Sequence, residues 1–165
     1  MTKLSTFTQL ILFLGIVVLL SFSSVQAVFQ PQSTIPGYSC YRDYDSIIQS
    51  ITAMENDHPG LVHLSTIGYS WEGKPIYALT LTNQARLEDK PRLVLVSGLR
   101  ANAFAPVELS LRFAEKLLAD YGENSESGWL LDHFELHLIV LANPDGRARA
   151  EDQAEDGPES VTWQN

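Results

Sequence analysis

Between residues 44 and 54 the apolar positions Tyr44, Ile47, Ile48, Ile51 and Met54 recur with a 3.6-residue period, which predicts an amphipathic helix. Asp43 stands where an N-cap belongs, and Pro59-Gly60 closes the segment. Two β segments follow, Leu61 to Tyr69 and Ile76 to Thr82. The Gly and Pro of the link Ser70-Trp71-Glu72-Gly73-Lys74-Pro75 suit a hairpin, so an antiparallel pair is expected. Leu93-Val94-Leu95-Val96 is a continuous apolar run between Pro91 and Gly98, the pattern of a strand covered on both faces. Pro106 fits the first turn of a second helix, with Val107, Leu111, Ala114, Leu118 and Tyr121 as its stripe and Gly122 as its stop. Glu108 and Arg112 stand at i, i+4 on that helix. Residues 121–128 read as a polar loop, and Phe134 to Ala142 as a strand that breaks at the turn signal Asn143-Pro144-Asp145-Gly146. From Arg147 to Ser160 the chain is polar and acidic with no apolar period, so this stretch is expected on the surface or without regular structure. Helix, two strands, strand, helix, strand is an α/β layer pattern.

The N-terminus follows a different pattern. Lys3 precedes an apolar run from Leu10 to Leu20, and Val25-Gln26-Ala27 offers the small residues a signal peptidase cuts after. Eleven residues rise only about 16 Å as a helix, against a hydrocarbon core of roughly 30 Å, so residues 1–27 read as a signal peptide rather than a span. Export to the periplasm or the extracellular space is expected, with no stable membrane span after cleavage; tethering by an uncleaved signal is the alternative. Residues 28–42 form an N-terminal lead, and 43–165 a single domain.

Charge and composition narrow the function classes. Eleven Lys and Arg against twenty Asp and Glu give a net charge of −9, or −10 once the signal with its lone Lys3 is removed. Such a chain repels phosphate backbones, so no nucleic-acid partner is expected. The single Cys40 excludes an internal disulfide and a cysteine-rich zinc ribbon.

The order of motifs from Tyr44 to Trp163 resembles the N-terminal half of the catalytic domain of carboxypeptidase A-type zinc metallocarboxypeptidases. The resemblance rests on the first helix, the Trp71-Glu72-Gly73-Lys74-Pro75-Ile76 turn, and Pro91-Arg92-Leu93-Val94-Leu95-Val96-Ser97-Gly98 entering a Gly-x-x-Arg-Ala-Asn segment. A Phe-Ala-Glu-Lys-Leu-Leu helix and the strand into Asn143-Pro144-Asp145-Gly146 complete the series. It implies an α/β fold, a partial mixed sheet flanked by helices of the zinc carboxypeptidase (phosphorylase/hydrolase-like) type, in truncated form. It also implies zinc as the family cofactor and peptide or protein C-termini as partners. In that family a His-x-x-Glu pair after the buried strand and a distant His hold zinc, whose bound water attacks the peptide carbonyl. A downstream Glu serves as base, and arginines hold the oxyanion and the substrate carboxylate.

Carried over residue by residue, the two metal positions fall on Arg100 and Ala103. Guanidinium has no free lone pair and alanine no donor atom, so neither ligates zinc. A cation held 4 Å from a dication would also meet repulsion of ~8 kcal/mol at an effective dielectric near 20. Trp163 matches the Trp before a family Arg that stabilises the transition state, which places neutral Gln164 at that substrate-binding position. The chain stops at Asn165, before the second His, the carboxylate-binding Arg and the catalytic Glu that the resemblance implies. The expectation is a secreted family relative without peptidase activity or bound zinc. An active zinc carboxypeptidase, a non-catalytic secreted peptide-binding module and a decayed gene product are the rivals.

Other residues are candidates for a rebuilt site. Glu55 and His58 stand at i, i+3, and His133, Glu135 and His137 alternate as on one strand face, which suits a surface metal. The plainer readings are a charged helix end and a solvated face. Arg100 and Asn102 at a strand-to-helix turn suit an anion, against a side chain that caps the turn or reaches solvent. Tyr69, Trp71 and Tyr77 suit either an aromatic platform or core and edge packing. Ser97 and Ser110 lack the context of a nucleophile, and Cys40 is a free thiol, exposed for intermolecular pairing or buried near the helix entry.

Overall fold

The computed structural model describes residues 33–86 and 89–155. The predicted signal peptide, Trp163 and Gln164 lie outside the described residues. Among those described, no helix is long and apolar enough to cross a membrane.

The described chain begins with a small antiparallel pair, β1 (Thr34–Ile35) and β2 (Tyr38–Arg42), inside the segment read as a lead. Helix α1 (Tyr44–Asp57) follows. As the sequence predicts, Asp43 caps it: its carboxylate accepts from the Ser46 N–H at 2.8 Å. Burial opposes ionisation of Asp43, and hydrogen bonds from Ser33 and Ser46 outweigh it, so its carboxyl lies below the usual aspartate range. Ile47, Ile51 and Met54 are buried, as their period requires.

Strands β3 (Val62–Tyr69) and β4 (Pro75–Leu81) form the expected hairpin. Strand β5 (Arg92–Val96), helix α2 (Phe104–Asp120), helix α3 (Ser125–His133), strand β6 (Glu135–Ile139) and helix α4 (Pro144–Glu155) complete the chain. The sheet order is β3-β4-β6-β5, antiparallel except for the parallel pair β5 and β6. Leu79, Leu81, Leu136 and Leu138 on one sheet face join Ile47 and Ile51 of α1 and Val107, Leu111 and Leu118 of α2 in the main core. Ile35, Ala101, Phe104, Ala150 and Ala154 form a second, smaller cluster where β1, α2 and α4 meet.

Three expectations change. Residues 125–128, expected in a loop, instead open a helix that runs to His133, because Asn124 caps it by accepting from the Glu126 N–H at 2.8 Å and Leu131 anchors it in the core. The stretch after Gly146 is helical as far as Glu155, held by a buried arginine and two buried alanines rather than by an apolar stripe. Strand β5 is exposed at all five residues, since among the described strands it pairs with β6 alone.

Candidate functional site

Parallel strands β5 and β6 deliver two loops to the same end of the sheet, the place where ligands bind in open α/β sheets. The loop after β5 is stitched to the one after β6: Ser97 N–H donates to the Ile139 carbonyl, Ala142 N–H to Ser97, and Asn143 N–H to Gly98, at 2.9 to 3.0 Å. Gly98 has φ +63°, and a Cβ there would sit 2.8 Å from Leu141 Cδ1 and 3.0 Å from Val107 Cγ2. Only glycine lets the backbone cross this close to the core.

Arg100 and Ala103 follow directly. Arg100 is exposed, and its carbonyl accepts from the Ala103 N–H at 3.3 Å. Ala103 is the N-cap residue of α2 and offers no side-chain cap. Asn102 between them is half-buried.

On the β6 side, Asn143 Oδ1 accepts from the Gly146 N–H at 2.9 Å, which makes it the cap of α4, with Pro144 in the first turn. Asn143 Nδ2 donates to the Leu99 carbonyl at 3.2 Å. A Cβ on Gly146 would fall 2.5 Å from Asn143 Nδ2, so this glycine makes room for the cap. The Asn-Pro-Asp-Gly signal is thus a helix start as well as a strand stop.

Asp145 turns toward the β3–β4 hairpin. Ser70 Oγ donates to it at 2.7 Å and the Glu72 N–H at 3.0 Å, while Lys74 Nζ lies 3.5 Å away. Burial raises its proton affinity, and these donors with Lys74 more than offset that, holding the carboxyl below the usual aspartate value.

Arg147 is 2% exposed. Its Nε donates to Glu151 at 2.5 Å, its Nη2 to the Arg42 carbonyl, and its guanidinium lies 4.6 Å over the Phe104 ring. Burial lowers its proton affinity against the pull of Glu151, Glu108 and Asp43; burial likewise raises Glu151, opposed by Arg147 and the Tyr44 N–H. Arg42 extends the network to Glu115 at 2.7 Å and Glu108 at 3.7 Å, and Arg112 reaches Glu108 at 2.8 Å as the spacing predicts.

The other candidates separate. Glu55 accepts from the Leu64 N–H and lies 3.4 Å from His63 Nδ1, while His58 ends α1. His133 closes α3, stacked on Trp129, and is not on β6; the strand begins only at Glu135. His137 Nε2 lies 2.8 Å from Glu135 Oε1 and its Nδ1 3.1 Å from Thr80 Oγ1, so two of the three predicted residues meet. Among the described residues no three His, Cys, Asp or Glu side chains gather as a metal site would need. Ser97 and Ser110 donate to the carbonyls of Val140 and Pro106. Core packing holds for Tyr77 but not for Trp71, which stands 98% exposed because the hairpin tip projects into solvent. Cys40 is exposed on β2.

A model of the zinc carboxypeptidase family matches residues 47–164. The chain belongs to that family. It is 31% identical over 111 residues to a zinc carboxypeptidase of Saccharothrix mutabilis subsp. capreolus, covering 67% of this chain and 26% of that protein. It is 30% identical over 111 residues to carboxypeptidase A1 of Bos taurus, with the same coverage. It therefore spans about a quarter of the length of these two relatives. The fold is similar to that of thrombin activatable fibrinolysis inhibitor, with TM-score 0.67 and 22% identity over 76% of this chain and 30% of the other. The carboxypeptidase A of Helicoverpa armigera gives 0.61 and 21% over 76% and 29%. The mixed sheet with flanking helices is the carboxypeptidase fold over the part that this chain covers.

The family's zinc can be tested against the donors at these loops. Arg100 and Ala103, onto which the resemblance carries the two ligand positions, have no lone pair to offer it: one is a permanent cation and the other ends in a methyl group. Sequence reasoning located this strand-to-helix loop. It missed Asn143, Asp145, Arg147 and Glu151 as its scaffold, although Asn before Pro and an i, i+4 Arg-Glu pair are legible helix-start signals.

Proposed function

We propose that this chain is a carboxypeptidase-family domain that has given up zinc-dependent hydrolysis and keeps the scaffold of the site. The observation that carries the reading is the donor set: the loop that follows β5 presents Arg100 and Ala103 where lone pairs are required. The neighbouring polar side chains do not replace them. Asn143 is committed to capping α4 and to Leu99, Asp145 to Ser70, Glu72 and Lys74, and Arg147 to Glu151. Without a bound metal to lower the pKa of water toward 7, nothing at these loops supplies a nucleophile at neutral pH.

The reading includes export. Lys3, the run Leu10 to Leu20 and Val25-Gln26-Ala27 support a cleaved signal, for which the mature N-terminus would be Val28. Mass analysis of the secreted product tests that part.

The experiment for the central part is turnover. The purified chain, supplied with zinc and an N-acylated dipeptide, is expected to release no C-terminal residue above the rate of buffer. Release that a chelator abolishes and zinc restores would establish the rival reading, an active zinc carboxypeptidase.

A further inference from the structure

The pair β1 and β2 lies in the segment that the sequence alone presents as a lead, yet it packs on the loops of the candidate site. The turn between its strands is preset. Proline holds its own φ near −65°, and Gly37 after Pro36 adopts φ +76°, the pairing that suits a type II turn and sets Ile35 opposite Tyr38. Of residues 33–41, Ile35 alone is buried, at 1% exposure; the others are half-buried or exposed. The pair is a strap with one apolar anchor.

That anchor is set among groups of the two site loops. Ile35 shares its cluster with Ala101 and Phe104, which follow β5, and with Ala150 and Ala154 of α4. Phe104 is the centre of the contact: the Tyr38 ring of β2 meets it edge-on with centroids 5.2 Å apart, and the Arg147 guanidinium lies over it. Ala101 comes directly after Arg100 and Phe104 directly after Ala103, the two positions with altered donors. Seating Ala101 and Phe104 therefore fixes the backbone between them.

Polar contacts join the strap to the domain at its other end. Arg147 Nη2 donates to the Arg42 carbonyl at the end of β2, and Glu151, one turn along α4, accepts from the Tyr44 N–H at 3.1 Å. The Asp43 N–H donates to the Ser33 carbonyl, which folds the strap back on the start of α1. Chain continuity with α1 holds this end in any case. At the turn end, the buried side chain of Ile35 and the half-buried ring of Tyr38 supply the hold.

We propose that the β1–β2 pair is a latch for the candidate site. While Ile35 is seated, the loop after β5 and the start of α4 are held together; when Ile35 leaves, both loosen without unfolding of the main core. The cluster around Ile35 shares no residue with the main core, so the two can open at different free energies. Pro36 limits the conformations of the released strap, which favours its return. The groups set free include Arg100, Ala103 and the Asn143 cap, so the geometry of the site is tied to a segment from the other end of the chain. The latch does not depend on whether the site takes zinc.

The test is residue-resolved hydrogen exchange on the full chain. Ile35→Ala removes the anchor; Gly37→Ala strains the turn at its positive φ and leaves the anchor's side chain in place. Gly122→Ala is the control, since it puts the same kind of strain at φ +88° beyond the end of α2 opposite Phe104. Two amides report on the site: Arg147 N–H, which donates to the Asn143 carbonyl, and Asn143 N–H, which donates to Gly98. Ile35→Ala should speed their exchange about thirtyfold, the lower end of what losing a buried isoleucine side chain costs. Gly37→Ala should speed it about tenfold, the scale of a left-handed residue with a Cβ. The amides of β4 and β6 should exchange as in wild type, and Gly122→Ala should leave both reporters unchanged relative to them. Wild-type exchange of the reporters in Ile35→Ala would overturn the proposal. So would acceleration of β4 and β6 by the same factor, because the strap would then be one more piece of the main core, and so would an equal local effect of Gly122→Ala.

Discussion

Asn143 and Leu99 tie together the two loops at the carboxyl ends of the parallel strands: Asn143 Nδ2 donates to the Leu99 carbonyl at 3.2 Å. The same side chain caps α4 through Gly146. Its replacement separates the two roles. Asn143→Ala should cost about 1–3 kcal/mol, a cap plus one net hydrogen bond. Asn143→Asp keeps the accepting oxygen and loses the donor, so its unfolding midpoint in urea should fall between wild type and Asn143→Ala. A midpoint for Asn143→Asp equal to that of wild type would mean that the link to Leu99 is worth nothing, and one equal to that of Asn143→Ala that the cap is worth nothing.

Arg147 is the buried charge on which α4 depends. Arg147→Met leaves Glu151 without its guanidinium partner and should destabilise the fold by about 3 kcal/mol, in the range for breaking a buried pair. Adding Glu151→Leu should recover part of the loss, although Glu151 also accepts from the Tyr44 N–H at 3.1 Å. A double-mutant cycle from denaturant midpoints reads the coupling, and a value near zero would contradict a shared role for the two residues.

Asp145 gives the pH dependence a sign. Its carboxyl is more acidic folded than unfolded, where an aspartate titrates near ~3.9. Its contribution is complete above that value and is lost as the pH falls through the lower, folded value. Asp43 acts in the same direction. Glu151, raised in the folded state, acts in the opposite one: its contribution is greatest in acid and is lost as the pH rises through its folded value. Asp145→Asn should therefore flatten the acid side of the stability curve between roughly pH 5 and 2. It should also lower the plateau at pH 7, because an amide is a poorer acceptor for Ser70, Glu72 and Lys74. An unchanged acid limb would show that the hairpin contact is not what titrates.

The double change Arg100→His, Ala103→Glu places two family-type donors on the loop after β5. It should still not hydrolyse peptides, because no described side chain supplies a third ligand or a general base there. Both substitutions fall at loop or cap positions outside the core, so the circular dichroism spectrum should match that of wild type. Zinc-dependent turnover in this variant would refute the alignment or the claim that the site is incomplete.

What the sequence disclosed depended on how each element is stabilised. Helix α1 was legible because a cap and an apolar period say the same thing, and the β3–β4 hairpin because Gly73 and Pro75 punctuate it. Helix α4 was not, because its buried face is Arg147, Ala150 and Ala154, which read as polar or neutral; the partners that bury Arg147 come from Glu151, Phe104 and a carbonyl 105 residues away. Helix α3 hid behind polar residues that turn out to include its own cap, Asn124. Strand β5 was placed correctly and its coverage misjudged, since an apolar run shows that a strand wants to be buried without naming what lies against it. At the candidate site, Ala103 is singled out by the family resemblance alone and Arg100 also by its place at a strand-to-helix turn, while the scaffold of Asn143 and Asp145 shows only where the hairpin, the loop after β5 and α4 meet.

Metal content tests the central claim most directly. The purified chain, equilibrated with excess zinc and then passed through a desalting column, should retain far less than one zinc per chain by elemental analysis. One zinc retained per chain, and lost when Arg100 and the residues around it are replaced, would contradict the account.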